Sequence, residues 1–218
     1  MSGGPGGGAR LFVALELPEV VRSALVQWAA EAIGEVDGAR LLDSGALHMT
    51  LCFLGEVELS AIDTIWAAVA SEVARGEDEW SPLVFEPDEV RWLPPRRPHV
   101  CAVSLRDRDG RAGALQAGLS ARLADGGWYA PERRRWLAHV TVARISRDAR
   151  GRGCRSRGGP RPVGPRPTGP RPTGPRPTGP RPAAEPAPPG LEPFAATAVA
   201  LMRSWPRSRY EALARVAL

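Results

Sequence analysis

Lysine is absent from this 218-residue chain: all 29 basic residues are arginine. A bias that uniform reads as genome composition rather than as selection for bidentate phosphate contacts. No run of 18 apolar residues occurs, which leaves no candidate for a helical membrane span. The opening Met-Ser-Gly-Gly-Pro-Gly-Gly-Gly lacks the apolar core of a secretory leader, so residues 1–9 read as a disordered Gly-rich tail. Cysteine is scarce, and Cys52, Cys101 and Cys154 are odd in number with no metal-type spacing. With only three scattered histidines beside them, a structural zinc site is not expected, nor any other metal or cofactor. A reducing cytoplasm, no membrane partner and a monomer are the resulting expectations.

The net charge of +5 invites a nucleic-acid reading, but its location argues otherwise. Residues 144–181 hold eleven arginines against the single acid Asp148, a local charge of +10. The remainder therefore carries −5, so the high isoelectric point says nothing about a basic surface on the globular part.

What the chain does hold is one short pattern twice. Leu47-His48-Met49-Thr50-Leu51 and Ala138-His139-Val140-Thr141-Val142 each place His-x-Thr inside an apolar run. Side chains two apart on a strand share a face, so each His projects beside its own Thr while Met49, Leu51, Val140 and Val142 point into a core. With seven threonines in the chain, a given His has a Thr two residues on with a chance of about 3%, so two of three is a rare coincidence. A polar His/Thr pair on one face of each of two apolar strands is what a catalytic floor looks like. Imidazole's near-neutral pKa suits one His to take a proton and the other to give one. Thr50 and Thr141 hydroxyls beside them can donate to charge developing on a substrate. Which His is acid and which is base is open at this level.

Around these motifs the periodicities alternate. Strands are expected at 10–17, 39–42, 47–54 (closed by Gly55), 83–92 (irregular at Pro87), 100–105, 136–143, 194–204 and 209–216. Helices are expected at 19–33, after a Ser60-Ala-Ile-Asp63 capping box, and at 112–123. Strand-helix-strand order with one motif in each half predicts an α+β fold with two similar lobes. From Gly159 the unit Gly-Pro-Arg-Pro-Thr recurs four times, the first copy with Val163 for Thr, followed by a truncated fifth. Proline at that density excludes helix and sheet interior, and a five-residue glycine period is not collagen's three. The repeat reads as a semi-rigid polyproline-like loop, either neutral filler or an electrostatic tether for RNA.

The paired motifs resemble those of the two-histidine (2H) phosphoesterases. Three flanks are similar to the bacterial RNA 2',3'-cyclic phosphodiesterases, also called 2'-5' RNA ligases: Arg10-Leu-Phe-Val-Ala-Leu-Glu-Leu-Pro18, Leu47-His-Met-Thr-Leu-Cys-Phe-Leu-Gly-Glu-Val57 and Pro131-Glu-Arg-Arg-Arg-Trp-Leu-Ala-His-Val-Thr-Val-Ala-Arg144. Ala138 departs from the family's usual proline, and the repeat interrupts the region after the second motif. The resemblance implies two antiparallel sheets related by a pseudo-twofold, with both motifs lining the cleft. It implies one domain over 10–218, interrupted by a disordered insertion at about 147–191. It implies hydrolysis of a terminal 2',3'-cyclic phosphate to a 2'-phosphate, the 3' oxygen leaving, with RNA ends or cyclic nucleotides as substrates and a reverse, 2'-5' ligating activity.

The site so expected comprises His48 and His139 as acid and base and Thr50 and Thr141 on the phosphate. Arg144 is placed by the resemblance against the terminal base or the phosphate. Three residues past Thr141, it reaches the cleft only if its strand ends or bulges. Phe12 or Val13 can flank a nucleobase. Arg134 matches a family arginine but is equally a surface ion-pairing residue, and His99, without a Thr partner, reads as structural or exposed. Cys52 is expected on the face of His48 and Thr50, as a small residue rather than a nucleophile. The alternatives are a 2H enzyme acting on small cyclic nucleotides or ADP-ribose cyclic phosphate, and a weakly catalytic RNA-binding module.

Overall fold

Residues Gly8–Glu16 form β1, apolar along most of its length because both faces are buried, Leu11, Val13 and Leu15 on one and Phe12 and Ala14 on the other. It opens a computed structural model that describes residues 7–76, 81–146 and 186–218. Next come α1 (Glu19–Ile33), β2 (Ala39–Leu41), β3 (Met49–Glu58), α2 (Ile62–Arg75), β4 (Val84–Leu93) and β5 (Val100–Asp107). The order continues with α3 (Arg111–Asp125), β6 (His139–Ile145), β7 (Phe194–Ala195), β8 (Ala198–Trp205) and β9 (Arg209–Ala217). The expected Pro-Arg repeat lies outside the described residues. Beyond it, β7 pairs with β4 and β8 with β1, so the chain rejoins the same sheet.

The architecture is α+β, as the element order predicts. Strands run β7-β4-β5-β6-β3-β1-β8-β9, with β2 also on β6, and every pairing is antiparallel. The two expected sheets are joined into one curled sheet through a single pair, Met49 opposite Val140. Each of these is the middle residue of a His-x-Thr. About that pair β3-β1-β8 mirrors β6-β5-β4, which is the pseudo-twofold expressed as strand order.

Helices cover one face only. Val21, Leu25, Ala29 and Ile33 of α1, Ile65, Val69 and Val73 of α2, and Ala112, Leu115, Leu119 and Leu123 of α3 recur at helical spacing and enter one common core. Each fully buried leucine contributes about 2 kcal/mol of apolar transfer. Between α2 and α3 the buried Glu72 carboxylate accepts from Arg122 at 2.9 Å and Arg75 at 2.5 Å, and these partners, Arg75 first, hold it below the usual carboxylate range. Gly118 makes room for it, because a Cβ there would lie 2.2 Å from a Glu72 oxygen. The opposite, open face carries a small separate cluster of Phe12, Ala14, Ala200 and Met202.

Two local expectations are corrected. Gly55 does not close β3: at φ +76 it passes through a bulge and the strand runs on to Glu58. The Ser60 capping box does not form. Leu59–Ala61 is a 3-10 turn that leads directly into α2, and its cap makes no side-chain hydrogen bond. Pro87 does disturb β4, where Ser104 Oγ accepts from Glu89 N and donates to Glu89 O at 3.1 Å across the bulge.

Candidate active site

The first motif is set by what precedes it. Glu19 at the start of α1 accepts from Ser44 Oγ at 2.8 Å, tying the helix to the 3-10 turn Ser44–Ala46. That turn presents the Ala46 carbonyl, which accepts from His48 Nδ1 at 2.9 Å. In the second motif the Leu137 carbonyl accepts from His139 Nδ1 at 2.8 Å. The same bond, to the carbonyl two residues back, therefore fixes both rings and leaves both Nε2 atoms for chemistry. Because Met49 stands opposite Val140, antiparallel register sets His48 on the side of Thr141 and Thr50 on the side of His139. Both Thr hydroxyls lack a hydrogen-bond partner among the described residues. Trp136, just before the second motif, donates its indole N–H to the Thr50 carbonyl at 2.9 Å and so braces one motif against the other.

Bulges decide which neighbours join them. Between β5 and β6, Ala102 stands opposite Thr141 and Val100 opposite Arg144, with a register shift between. Ala102 and Val100 share a face, so Thr141 and Arg144 do too, and Val142 and Ala143 both turn into the core. The condition set for Arg144 is met by this bulge. In β3 the partners of Val13 and Ala14 are Cys52 and Thr50, again with one residue extra. This corrects the expected face of Cys52: it lies in the core with Val13, 1% exposed, and burial pushes its thiol up to about 12. Phe53 takes the open face instead. Both strands thus read His, Thr and, after a bulge, one more residue toward the cleft: Phe53 in the first and Arg144 in the second.

Val13 is withdrawn as a base-flanking residue, since it is fully buried on the helix side. Phe12 is on the cleft face but only 2% exposed; its ring lies 4.7 Å from His48, centroid to centroid, and supports that imidazole. The aromatic surface open to a ligand belongs to Phe53, stacked on Phe12 at 6.3 Å with Arg10 4.9 Å over it. Tyr210 of β9 was not found by sequence reasoning. It meets His48 edge-on at 4.8 Å and Phe12 at 5.4 Å, and no motif marks it. Arg134 sits exposed in the loop before β6, and His99 contributes backbone bonds, its N–H to Leu93 O and its carbonyl to Ile145 N.

Burial against Phe12 and Tyr210 lowers the His48 pKa from 6.5 to about 4; its bond to Ala46 opposes this, and the Arg144 and His139 charges add to it. His48 is therefore neutral at pH 7. Among the described residues no group of three or more His, Cys, Asp or Glu is placed to hold a metal ion.

The architecture is that of solved LigT and phosphoesterase structures. Escherichia coli LigT, crystallised with 3'-AMP, superposes with a TM-score of 0.64 at 22% identity, covering 97% of this chain and 98% of LigT. TT0787 of Thermus thermophilus gives 0.65 at 22% identity over 96% of this chain and 97% of its own. A further solved structure described as a phosphoesterase gives 0.62 at 24% identity over 97% and 99%. No family model and no curated protein matches the chain.

Proposed function

We propose that this chain is a 2H phosphoesterase that hydrolyses a terminal RNA 2',3'-cyclic phosphate to a 2'-phosphomonoester without a metal, and that the same site forms 2'-5' RNA linkages. The observation that carries the reading is the pair of identically tethered imidazoles, each beside an unpartnered Thr hydroxyl, related through the Met49–Val140 pair. The LigT structure holding 3'-AMP supports a nucleotide as the ligand of such a cleft.

In this mechanism His48, kept neutral by burial, takes a proton from water as its oxygen attacks phosphorus. The P–O3' bond breaks on the far side, and His139, protonated, delivers its proton to the departing O3'. Thr50 and Thr141 donate to the phosphoryl oxygens as charge accumulates. In ligation a 5'-hydroxyl takes the place of water. His48 removes its proton, O5' attacks phosphorus, and O3' again leaves with the proton of His139, so a 2'-5' diester remains. Cleavage of that diester is the reverse of this step. The working protein is a cytoplasmic monomer whose single domain spans 10–218 around the insertion. Among the described residues no helix is long and apolar enough to cross a membrane.

The test incubates the full chain in EDTA with 2',3'-cyclic AMP and with a cyclic-ended oligonucleotide, and resolves the 2'- and 3'-phosphate products. Steady formation of the 2'-phosphate supports the reading. Activity that is absent in EDTA and restored by a divalent ion contradicts it.

A further inference from the structure

Arg40 carries no role in the site described so far. It lies on the short edge strand β2, directly opposite Arg144 of β6. Residues opposite each other on antiparallel strands project from one face with Cβ atoms about 5 Å apart, and like charges so placed repel. Among the described residues neither guanidinium has a carboxylate partner, although other cations near the sheet ends do, as Arg215 does with Glu16 and Arg106 with Asp88. Arg40 is nevertheless held. Its terminal nitrogen donates to Ser208 Oγ at 2.8 Å, in the turn between β8 and β9 that belongs to the other half of the sheet. That turn keeps two consecutive non-glycine residues, Arg207 and Ser208, at φ 64 and φ 59, a costly backbone that fixes its tip.

Because of the β6 bulge, Arg144 shares its face with Thr141 and lies about 7 Å further along the strand, two paired steps away. Arg40 stands beside it, on the edge of β6 that also carries Met49 of the first motif. Two exposed guanidiniums without carboxylates, carried by directly opposite residues, form a place for one more anion than the reacting phosphate supplies.

Resting on the function proposed above, we infer that Arg40 and Arg144 form a subsite for a second phosphoryl group of the substrate, on the 5' side of the reacting nucleotide. That group is either the internucleotide diester of an RNA chain or the 5'-phosphate of a mononucleotide. Either one relieves the Arg–Arg repulsion and gains charge-assisted hydrogen bonds. The subsite makes the enzyme prefer ends that carry a phosphate 5' to the terminal ribose.

The test titrates the full chain with adenosine 2'-phosphate, adenosine 2',5'-bisphosphate and the dinucleotide ApAp ending in a 2'-phosphate, and repeats it with Arg40→Gln. Wild type is expected to bind one or both two-phosphate ligands about ten- to a hundredfold more tightly than the monophosphate, and Arg40→Gln to lose most of that ratio. Preference for ApAp alone identifies the source as an RNA chain, and preference for the bisphosphate alone identifies a 5'-phosphate. Equal binding of all three, with no change in Arg40→Gln, overturns the subsite and leaves the proposed function standing. No binding of any of the three overturns both. Thermal unfolding of the variant, expected within a few degrees of wild type for an exposed residue, separates lost affinity from lost fold.

Discussion

The two halves of this molecule use one backbone plan in two environments. Each supplies a His tethered to the carbonyl two residues back, a Thr on the same face, and a bulge that brings one more side chain to the cleft. Then they diverge. The first half packs its imidazole against Phe12 and Tyr210 and ends in the aromatic Phe53, whereas the second ends in the cationic Arg144, both imidazoles being half-buried. What the difference teaches is that symmetric strands position the pair, while their unlike surroundings carry the roles given to them in the proposed mechanism. A half-buried ring held neutral among aromatic neighbours suits proton abstraction.

The comparison is broken most severely by removing either imidazole. His48→Ala and His139→Ala are each expected to lower kcat by about two to four orders of magnitude, with an unchanged circular dichroism spectrum. A variant that keeps a near-normal rate with the fold intact contradicts the paired site. Next in size are the threonines. Thr50→Val and Thr141→Val are each expected to cost about 1–3 kcal/mol in kcat/KM, as single donors to a charged group, and steady-state kinetics on 2',3'-cyclic AMP measures it.

The environment itself is tested by pH. With the His48 pKa near 4, the acid limb of kcat/KM is expected close to pH 4 rather than 6.5. Tyr210→Ala opens one side of the ring and is expected to move that limb upward, toward 6.5, because burial is the largest cause of the shift. An acid limb near 6.5 in wild type, or one indifferent to Tyr210, contradicts the environmental account. Stability follows the same sign. Unfolded His48 binds a proton below about 6.5 and the native state does not until about 4, so the native state loses stability as pH falls through that window. In His48→Gln this part of the loss is expected to disappear from denaturant midpoints measured between pH 7 and 4.

Much of this was legible in the sequence. The His-x-Thr pairs and the helix stripes follow from period and composition, which are local, whereas the return of the chain to the sheet after the repeat was implied by the family resemblance. What failed was non-local. Cys52 sits two residues past Thr50 and by simple alternation shares its face; only pairing with Val13 of β1 reveals the bulge that turns it inward. The same kind of bulge brings Arg144 to the cleft. Tyr210 comes from the last strand and Arg40 meets Arg144 across more than a hundred residues, contacts that no spacing encodes. Ser60 had capping-box chemistry, yet the tighter turn before α2 left it no helix end to cap.

The division of labour between the halves is tested most directly by a substrate that needs no acid: a nucleoside 2',3'-cyclic phosphate with sulfur in place of the bridging 3' oxygen. A thiolate leaves without a proton. On this substrate His139→Ala is expected to regain most of its lost rate, while His48→Ala stays at least about two orders of magnitude below wild type. Rescue of His48→Ala with His139→Ala still impaired would contradict the assignment and exchange the two roles.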